Sequence, residues 1–312
     1  MKKVVVTDYT FPDVAQERAA AAGAEFAAHQ CRSAEDVAAA VAGADVALVQ
    51  FAPFGPAAAA AMRRGGTVIR YGVGYNNIDL AACAAQGLRV GYVPDYCADE
   101  VADHTAASAL SLLRKINAMD ASVRRGEWAA VKMAKPMKTF SQTRFGFYGL
   151  GQIGRAVLAR LGGFGFQFMA HDPGVTALPG VEMVSAEALL ARADIISLHA
   201  PATAVTTGYF NAARLATMQR HAMIVNSARG QLIVEDDLAA ALQDGIIAGA
   251  ALDVFHIEPL PADSALRRAP NLVLTPHAAW YSETAIHRLQ ELVATDIATA
   301  LQGGGPRKPV PM

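Results

Sequence analysis

The sequence has few cysteines, almost no net charge and no long apolar run, and each absence excludes a class of protein. Its three cysteines, Cys31, Cys83 and Cys97, form neither a disulfide framework nor a CxxC metal site, so we expect a reducing, cytoplasmic setting. The net charge of −1 and the lack of a basic stripe argue against direct binding of nucleic acid. Because no stretch approaches about 18 uninterrupted apolar residues, we expect neither a transmembrane helix nor a membrane partner.

The rest of the composition describes a folded globular protein. The 312 residues are enough for two domains of ordinary size. A hydrophobic content of 53% with 18% charged residues indicates a large core. The N-terminal apolar run of residues 4–6 is broken at once by Thr7 and Asp8, which predicts a first β-strand and not a signal peptide.

Short apolar runs alternate with helical patterns along nearly the whole chain, which predicts an α/β fold. The first third contains predicted strands at 3–8, 24–29, 45–50, 67–72 and 88–93. A second series lies at 144–149, 166–172, 194–200, 222–227, 249–255 and 271–277, as a doubly wound dinucleotide-binding domain requires. Residues 98–128 have acids at the start and bases towards the end, which predicts one helix of about twenty residues or more. A last helix is predicted at about 282–301, followed by a flexible tail.

A glycine motif follows the first strand of the second series. Gly149, Gly151 and Gly154 are spaced as GxGxxG directly before a helical pattern. The first glycine permits a tight turn, the second lets a pyrophosphate approach the backbone, and the third lets helix and strand pack closely. Asp172 ends the next strand, where an acid can bind the adenosine ribose hydroxyls; the alternative is a turn residue before Pro173. Together these features favour NAD over NADP.

Three polar residues follow the last strands of the second series. Arg229 can grip a carboxylate and polarise a carbonyl, although most arginines form surface ion pairs. His277 can transfer a proton, although a lone histidine beside apolar residues is often structural. Glu258 lies on a proline-rich loop, where its partner is either His256, two residues away, or the distant His277. Since neighbouring strands bring their loops together, we favour His277, and we interpret His256 as a loop or interface residue.

The chain resembles the D-isomer-specific 2-hydroxyacid dehydrogenases, and among them the branch similar to the C-terminal-binding-protein corepressors. The motifs that carry this resemblance span nearly the whole chain and include RYGVGYNNIDLAAC, GLGQIG, SLHAPAT, VNSARGQLIVEDDL, AALDVFHIEPLP and LTPHAAWYSE. The resemblance implies Arg229 as carboxylate anchor and carbonyl polariser, His277 as general acid/base and Glu258 as its partner. It also implies a substrate carboxylate bound by backbone amides around Val73 and Gly74, and a homodimer formed through the cofactor domain.

The same resemblance implies the organisation of the chain. A flavodoxin-like substrate domain is expected at 1–97 and 286–312, and a Rossmann NAD-binding domain at 98–285. Arg70 and Trp280 are further candidates for the substrate side, although each has a structural alternative, as a strand cap or as a core or dimer-seam aromatic. Besides the glycine motif, the implied cofactor contacts are Thr105, Gln152, Ile153, Asp172, His199, Thr206, Ser227 and Asp253, of which Asp253 would bind the nicotinamide carboxamide.

These observations predict an NAD-dependent oxidoreductase that interconverts a small 2-keto acid and its D-2-hydroxy acid. The alternative is an NAD(H)-sensing scaffold with weak or vestigial activity. The presence of Arg229, Glu258 and His277 together favours the enzyme, because a scaffold needs none of them. A phosphorylated substrate is less favoured, since no additional basic cluster is evident.

Overall fold

The computed structural model describes residues 1–311. The chain forms two compact units. Unit 1 contains Met1–Cys97 and the chain from Tyr281 onwards, and unit 2 is Ala98–Trp280. From the sequence we expected the NAD-binding domain to span 98–285, so unit 2 ends earlier in the structure than expected.

Residues 1–311 contain twelve α-helices and twelve β-strands, numbered here in chain order. The strands are β1 (Lys3–Val6), β2 (Glu25–Ala28), β3 (Val46–Val49), β4 (Thr67–Arg70), β5 (Arg89–Tyr92), β6 (Arg144–Tyr148), β7 (Gln167–His171), β8 (Val181–Met183), β9 (Ile195–Leu198), β10 (Met223–Asn226), β11 (Gly249–Leu252) and β12 (Leu272–Leu274). The helices are α1 (Ala15–Ala20), α2 (Ala34–Ala40), α3 (Pro56–Ala61), α4 (Leu80–Ala85), α5 (Ala98–Leu113), α6 (Ile116–Arg124), α7 (Ala130–Ala134), α8 (Gln152–Leu161), α9 (Ala186–Arg192), α10 (Ala212–Leu215), α11 (Glu235–Gln243) and α12 (Glu283–Leu301).

Unit 1 is built on a parallel sheet that, in the described residues, has five strands in the order β2-β1-β3-β4-β5. This is the flavodoxin-like order, and all five strands were predicted. Strands β1 and β3 are almost wholly buried because helices cover both faces of a parallel sheet. Ser33 caps α2 in a reciprocal capping box with Asp36, as its spacing predicts.

Unit 2 contains a parallel sheet of seven described strands in the order β12-β11-β10-β9-β6-β7-β8. Read from β8, the first six follow the doubly wound dinucleotide-binding order, and β12 extends the sheet. The order reverses between β6 and β9, so the glycine turn after β6 lies at the switch point where such sheets bind ligands. Strand β8 was not predicted, because it has only three residues and Glu182 is exposed at its centre.

The long helix predicted over 98–128 is wrong, because the structure has two helices there. Lys115 takes a left-handed backbone conformation, with φ of 53°, and separates α5 from α6. Its amide donates to Leu112 O at 3.0 Å, and its ammonium group donates to Met133 O and Lys135 O. An amphipathic pattern reports side-chain periodicity, and it does not reveal a single residue whose φ changes sign.

The expectation of a flexible C-terminal tail is also wrong for the described residues. Val310 is buried, and its amide donates to Val90 O at 2.9 Å on the edge strand β5. Arg307 donates to both carboxylate oxygens of Asp95, at 2.8 and 3.0 Å. A glycine-rich segment is mobile only when nothing binds it. The tail from residue 303 is bound by the edge strand β5 and by Asp95, so the prediction fails there.

In the described part of the chain, no helix combines the length and the apolar character needed to cross a membrane.

Candidate functional site

The turn after β6 has the shape that a pyrophosphate-binding glycine turn needs. Gly149 has φ of +94°, and a Cβ there would lie 2.8 Å from the carbonyl carbon of His199. A Cβ on Gly154 would lie 2.9 Å from Gly149 O, so helix α8 packs against the turn only with glycine there. A Cβ on Gly151, the N-cap of α8, would meet nothing within 4 Å. The helix N-terminus, with Gln152 and Ile153 in its first turn, therefore faces open space that suits an anion.

Asp172 and His199 lie beside this turn. Asp172 accepts hydrogen bonds from the amides of Leu150 (2.6 Å) and Gly174 (2.8 Å), which fixes its carboxylate next to the glycine motif. His199 lies within hydrogen-bonding distance of Ser197, with Nε2 2.9 Å from Oγ. Burial lowers the pKa of His199 to about 4, so its ring is neutral at pH 7. These residues fit the adenosine and phosphate half of a dinucleotide.

Two further predicted cofactor residues contact one another. Thr105 is fully buried on α5, where its hydroxyl donates to Val101 O at 2.7 Å. The same oxygen lies 2.5 Å from Ser227 Oγ, just beyond β10. Thr206 lies in the loop after β9 and donates to Pro201 O at 2.6 Å. In this structure Thr105 orients Ser227, and Thr206 braces its own loop.

The structure brings Glu258 and His277 together. Nδ1 of His277 lies 2.6 Å from Oε2 of Glu258, although the residues are nineteen positions apart. Oε1 of Glu258 accepts the amide of Phe255 at 2.9 Å. The neighbouring His256 is exposed, and its amide donates to Glu235 on α11.

The charge state of Glu258 fixes the direction of this hydrogen bond. Burial alone would raise the pKa of Glu258, but the hydrogen bond and charge of His277 act against it. The Phe255 amide and the charge of Arg229 add to them, and the pKa lies below the ordinary value for a glutamate. Glu258 is therefore an ionised acceptor at neutral pH, and Nδ1 of His277 carries the hydrogen that it donates.

The backbone of His277 is unusual and is held by its surroundings. Its φ is 52°, a left-handed conformation that costs an L-residue about 1–3 kcal/mol. Its amide donates to Asp253 O at 2.8 Å, and its carbonyl accepts the Trp280 indole N–H at 2.7 Å. The Asp253 carboxylate is 2% exposed and accepts the amides of Ala278 and Ala279, both at 2.9 Å. Asp253 and Trp280 thus brace the loop that carries His277.

Arg229 follows β10 and is half-buried. Asn226, at the end of that strand, donates through its side chain to Arg229 O at 2.8 Å. A Cβ on the next residue, Gly230, would lie 2.0 Å from the carbonyl carbon of Phe255. The loop of Arg229 can therefore approach the loop of Glu258 only because residue 230 is glycine.

The remaining substrate candidates, Arg70, Val73 and Gly74, lie in unit 1 around the loop after β4. Arg70 is half-buried, and its Nη1 donates to Tyr71 O at 2.5 Å. Its guanidinium occupies the space beside Gly72, where a Cβ would lie 1.7 Å from Nη1. Among the described residues, no acceptor is found for the amides of Val73 or Gly74.

Two further polar residues connect to this site and were not predicted from the sequence: His104 on α5 and Thr275 just after β12. Thr275 Oγ1 lies 2.6 Å from Asp253 Oδ1 and 3.2 Å from His104 Nε2. Thr275 was detectable in principle, since it is a polar residue at the end of a predicted strand. His104 gave no such signal, because it lies within an amphipathic helix.

The chain is similar to known proteins in both sequence and fold. Residues 106–279 match the sequence-family model for the NAD-binding domain of D-isomer-specific 2-hydroxyacid dehydrogenases. A glyoxylate reductase from Thermofilum pendens is 35% identical over 248 residues, which cover 76% of this chain and 72% of that protein.

Two solved structures share the fold over nearly the entire chain. A protein from Thermus thermophilus has a TM-score of 0.87 and 31% identity, covering 99% of this chain and 100% of its own. A D-isomer-specific 2-hydroxyacid dehydrogenase from Lactobacillus delbrueckii ssp. bulgaricus, in its NAD-complexed form, has a TM-score of 0.76 and 26% identity with the same coverage.

Proposed function

The chain belongs to the D-isomer-specific 2-hydroxyacid dehydrogenase family, and from that premise we propose that it interconverts a small 2-keto acid and its D-2-hydroxy acid, with His277 as acid/base. The protein is an NAD-dependent dehydrogenase. The observation that carries the proposal is the 2.6 Å pair of His277 and ionised Glu258, placed beyond the carboxyl ends of two strands of the NAD-binding sheet.

In the proposed reaction, His277 moves a proton while the carbonyl carbon is reduced. NAD, when bound, provides the hydride chemistry. Because Nδ1 of His277 donates to Glu258, we place the transferred proton at Nε2. Nε2 gives it to the keto oxygen during reduction and takes it back from the hydroxyl group during oxidation. The negative charge of Glu258 stabilises the imidazolium form, and its hydrogen bond orients the ring.

Arg229 provides a positive charge that can bind the negatively charged carboxylate of a keto acid. A guanidinium can bind the substrate carboxylate through two donors and polarise the adjacent carbonyl. Its charge lowers the pKa of Glu258, which places the guanidinium within electrostatic reach of the acid–base pair. Trp280 is a further proposed substrate residue of unit 2, and Arg70, Val73 and Gly74 are the proposed substrate residues of unit 1.

The residues that would bind NAD are the predicted set in unit 2. The glycine turn and the first turn of α8 would bind the pyrophosphate, and Asp172 the adenosine ribose. Asp253 already accepts three hydrogen bonds, but Oδ2 has only one of these donors, so it can still accept the nicotinamide carboxamide. The full set is Thr105, Gly149, Gly151, Gln152, Ile153, Gly154, Asp172, His199, Thr206, Ser227 and Asp253.

The function is tested by steady-state NADH oxidation with a panel of 2-keto acids that differ in side-chain size. Glyoxylate belongs in the panel because the relative from Thermofilum pendens is named a glyoxylate reductase. We expect turnover of at least one acid of the panel, the D configuration in every product that has a stereocentre, and weaker activity with NADPH, whose 2'-phosphate Asp172 would repel. Tight NADH binding without any turnover would contradict the enzyme and favour the NAD(H)-sensing scaffold.

The pH profile tests the role of Glu258. Glu258→Gln removes the negative charge that stabilises protonated His277 but keeps a side chain of similar shape. We expect the pH at which keto-acid reduction falls to half its maximum to move to lower pH, because a neutral partner no longer favours the imidazolium. The measurement is kcat/KM against pH, with Glu235→Gln, a change outside the proposed machinery, as the control. An unshifted profile would remove Glu258 from this role.

We propose that the protein forms a homodimer through unit 2. Side chains in and next to α6 and α7 expose much apolar surface: Trp128 is 91% exposed, Val131 67%, Ile116 55% and Val123 53%. Exposed apolar clusters commonly mark protein interfaces. We expect a dimer by light scattering and a monomer for Trp128→Glu with Val131→Glu, whereas Val205→Glu, at another exposed valine, should leave the mass unchanged. A wild-type monomer would contradict the proposal.

A further inference from the structure

A chain of side-chain hydrogen bonds extends from α5 to the loop that carries His277. His104 Nε2 lies 3.2 Å from Thr275 Oγ1, and Thr275 Oγ1 lies 2.6 Å from Asp253 Oδ1. The Asp253 carboxylate then accepts the amides of Ala278 and Ala279. Neither His104 nor Thr275 contacts His277 through its side chain in these hydrogen bonds, but both are connected to its loop through Asp253.

The donor and the acceptor of each hydrogen bond in this series can be assigned. The two carboxylate oxygens of Asp253 accept two backbone amides, which can only donate, so the carboxylate acts as an acceptor. The Thr275 hydroxyl has one hydrogen, which it donates to Asp253 Oδ1. Its oxygen can then interact with His104 only as an acceptor. Nε2 of His104 therefore carries a hydrogen and donates it to Thr275.

These hydrogen bonds end on a loop whose backbone is left-handed at His277. Asp253 contacts the loop in two ways, through its carboxylate to Ala278 and Ala279 and through its carbonyl to the His277 amide. Between these contacts, His277 is held at φ of 52°. If Asp253 rotated, both amides would lose their acceptor and the left-handed conformation would lose its support. Thr275 restricts that rotation because its hydroxyl donates to Oδ1, and His104 holds Thr275 in place.

We propose that His104 and Thr275 are positioning residues that, through Asp253, keep His277 in its left-handed conformation and so set the direction of its ring. This rests on the proposed role of His277 as acid/base. The proposal assigns the Asp253 carboxylate a structural task in addition to any contact with the cofactor. It also gives a role to His104, whose Nε2 lies 3.2 Å from Thr275 Oγ1 and is the donor that completes this series of hydrogen bonds.

The test compares variants that remove one hydrogen bond with variants that restore it. Thr275→Val keeps the shape and removes the hydroxyl, whereas Thr275→Ser keeps the hydroxyl. His104→Phe removes the donor, whereas His104→Gln places an amide N–H near the position of Nε2. Thr217→Val is the control, because the exposed Thr217 hydroxyl donates to a backbone carbonyl far along the chain from this loop.

We expect Thr275→Val to lower kcat by roughly tenfold, the size of one hydrogen bond to a charged group, and to raise the Kd for NADH by a smaller factor, since Asp253 is also a proposed cofactor contact. Thr275→Ser should recover most of the loss. His104→Phe should lower kcat in the same direction, and His104→Gln should recover part of it. Amide hydrogen exchange across 276–280 should be faster in Thr275→Val and His104→Phe than in the wild type, and unchanged in Thr217→Val.

Two results would overturn the proposal: exchange and kcat in Thr275→Val that match those of Thr217→Val, or equal losses in Thr275→Val and Thr275→Ser. If Thr275→Val fails to fold, the pair His104→Phe and His104→Gln gives the same comparison. Hydrogen exchange does not depend on turnover. A wild-type protein that reduces no keto acid would therefore contradict the proposed function, while the exchange data would still decide whether His104 and Thr275 hold the loop.

Discussion

His277→Asn is expected to lower kcat for keto-acid reduction by about 10²–10⁴-fold, the contribution of a positioned general acid, while NADH affinity stays within about threefold. Asparagine suits this test because it adopts the left-handed conformation more readily than most residues, so the φ of 52° can be kept. Its amide can accept or donate a hydrogen bond but cannot deliver a proton at neutral pH. The substitution therefore removes the proposed general acid but allows the left-handed backbone conformation at residue 277 to be kept.

The measurements are steady-state kcat and KM with the best keto acid, and the Kd for NADH from the quenching of protein fluorescence. His256→Asn is the matched control, because that exposed histidine lies two residues from Glu258 and has no proposed part in the reaction. It should keep wild-type kcat. If His277→Asn retains more than about a tenth of the wild-type kcat, another group delivers the proton.

Arg229→Gln should produce the second large loss. Removing a charged donor from a developing oxyanion costs about 10²–10³-fold in rate, and the substrate also loses its carboxylate anchor. We therefore expect kcat to fall and KM for the keto acid to rise, so that kcat/KM falls by more than kcat. Because Arg229 follows β10 and has no proposed contact with the cofactor, the Kd for NADH should change little.

Arg229→Lys separates charge from geometry. A lysine keeps the positive charge but cannot form two parallel hydrogen bonds to a carboxylate, so it should recover only part of the lost kcat/KM. Arg192→Gln, which breaks an exposed ion pair with Glu182, is the control and should retain wild-type kinetics. Equal activity of the glutamine and lysine variants would show that charge at residue 229 is not what the reaction uses. Gly230 must stay unchanged in all of them, since any side chain there would collide with Phe255.

The sequence predicted the parallel sheets well, because buried parallel strands are short apolar runs that few other structures mimic. It missed β8, whose central Glu182 breaks the pattern, and the break between α5 and α6 at Lys115, where the change is in one dihedral angle. The prediction of a flexible C-terminal tail was also wrong. A composition rich in proline and glycine is typical of flexible segments, but it does not reveal that Val310 binds the edge strand β5 and that Arg307 binds Asp95.

By itself, the sequence determined which residue types end each strand of unit 2. Carboxyl ends of parallel strands meet at one edge, so Gly149, Asp172, Arg229, Glu258 and His277 could be assigned to a common region from the strand pattern alone. Only the tertiary structure decided how they meet. The 2.6 Å hydrogen bond between His277 and Glu258 depends on a left-handed residue and on the carboxylate of Asp253, which His104 and Thr275 hold from elsewhere in the chain. Dihedral signs and hydrogen bonds between distant residues have no periodic signature in a sequence, and they exist only when the backbone has folded.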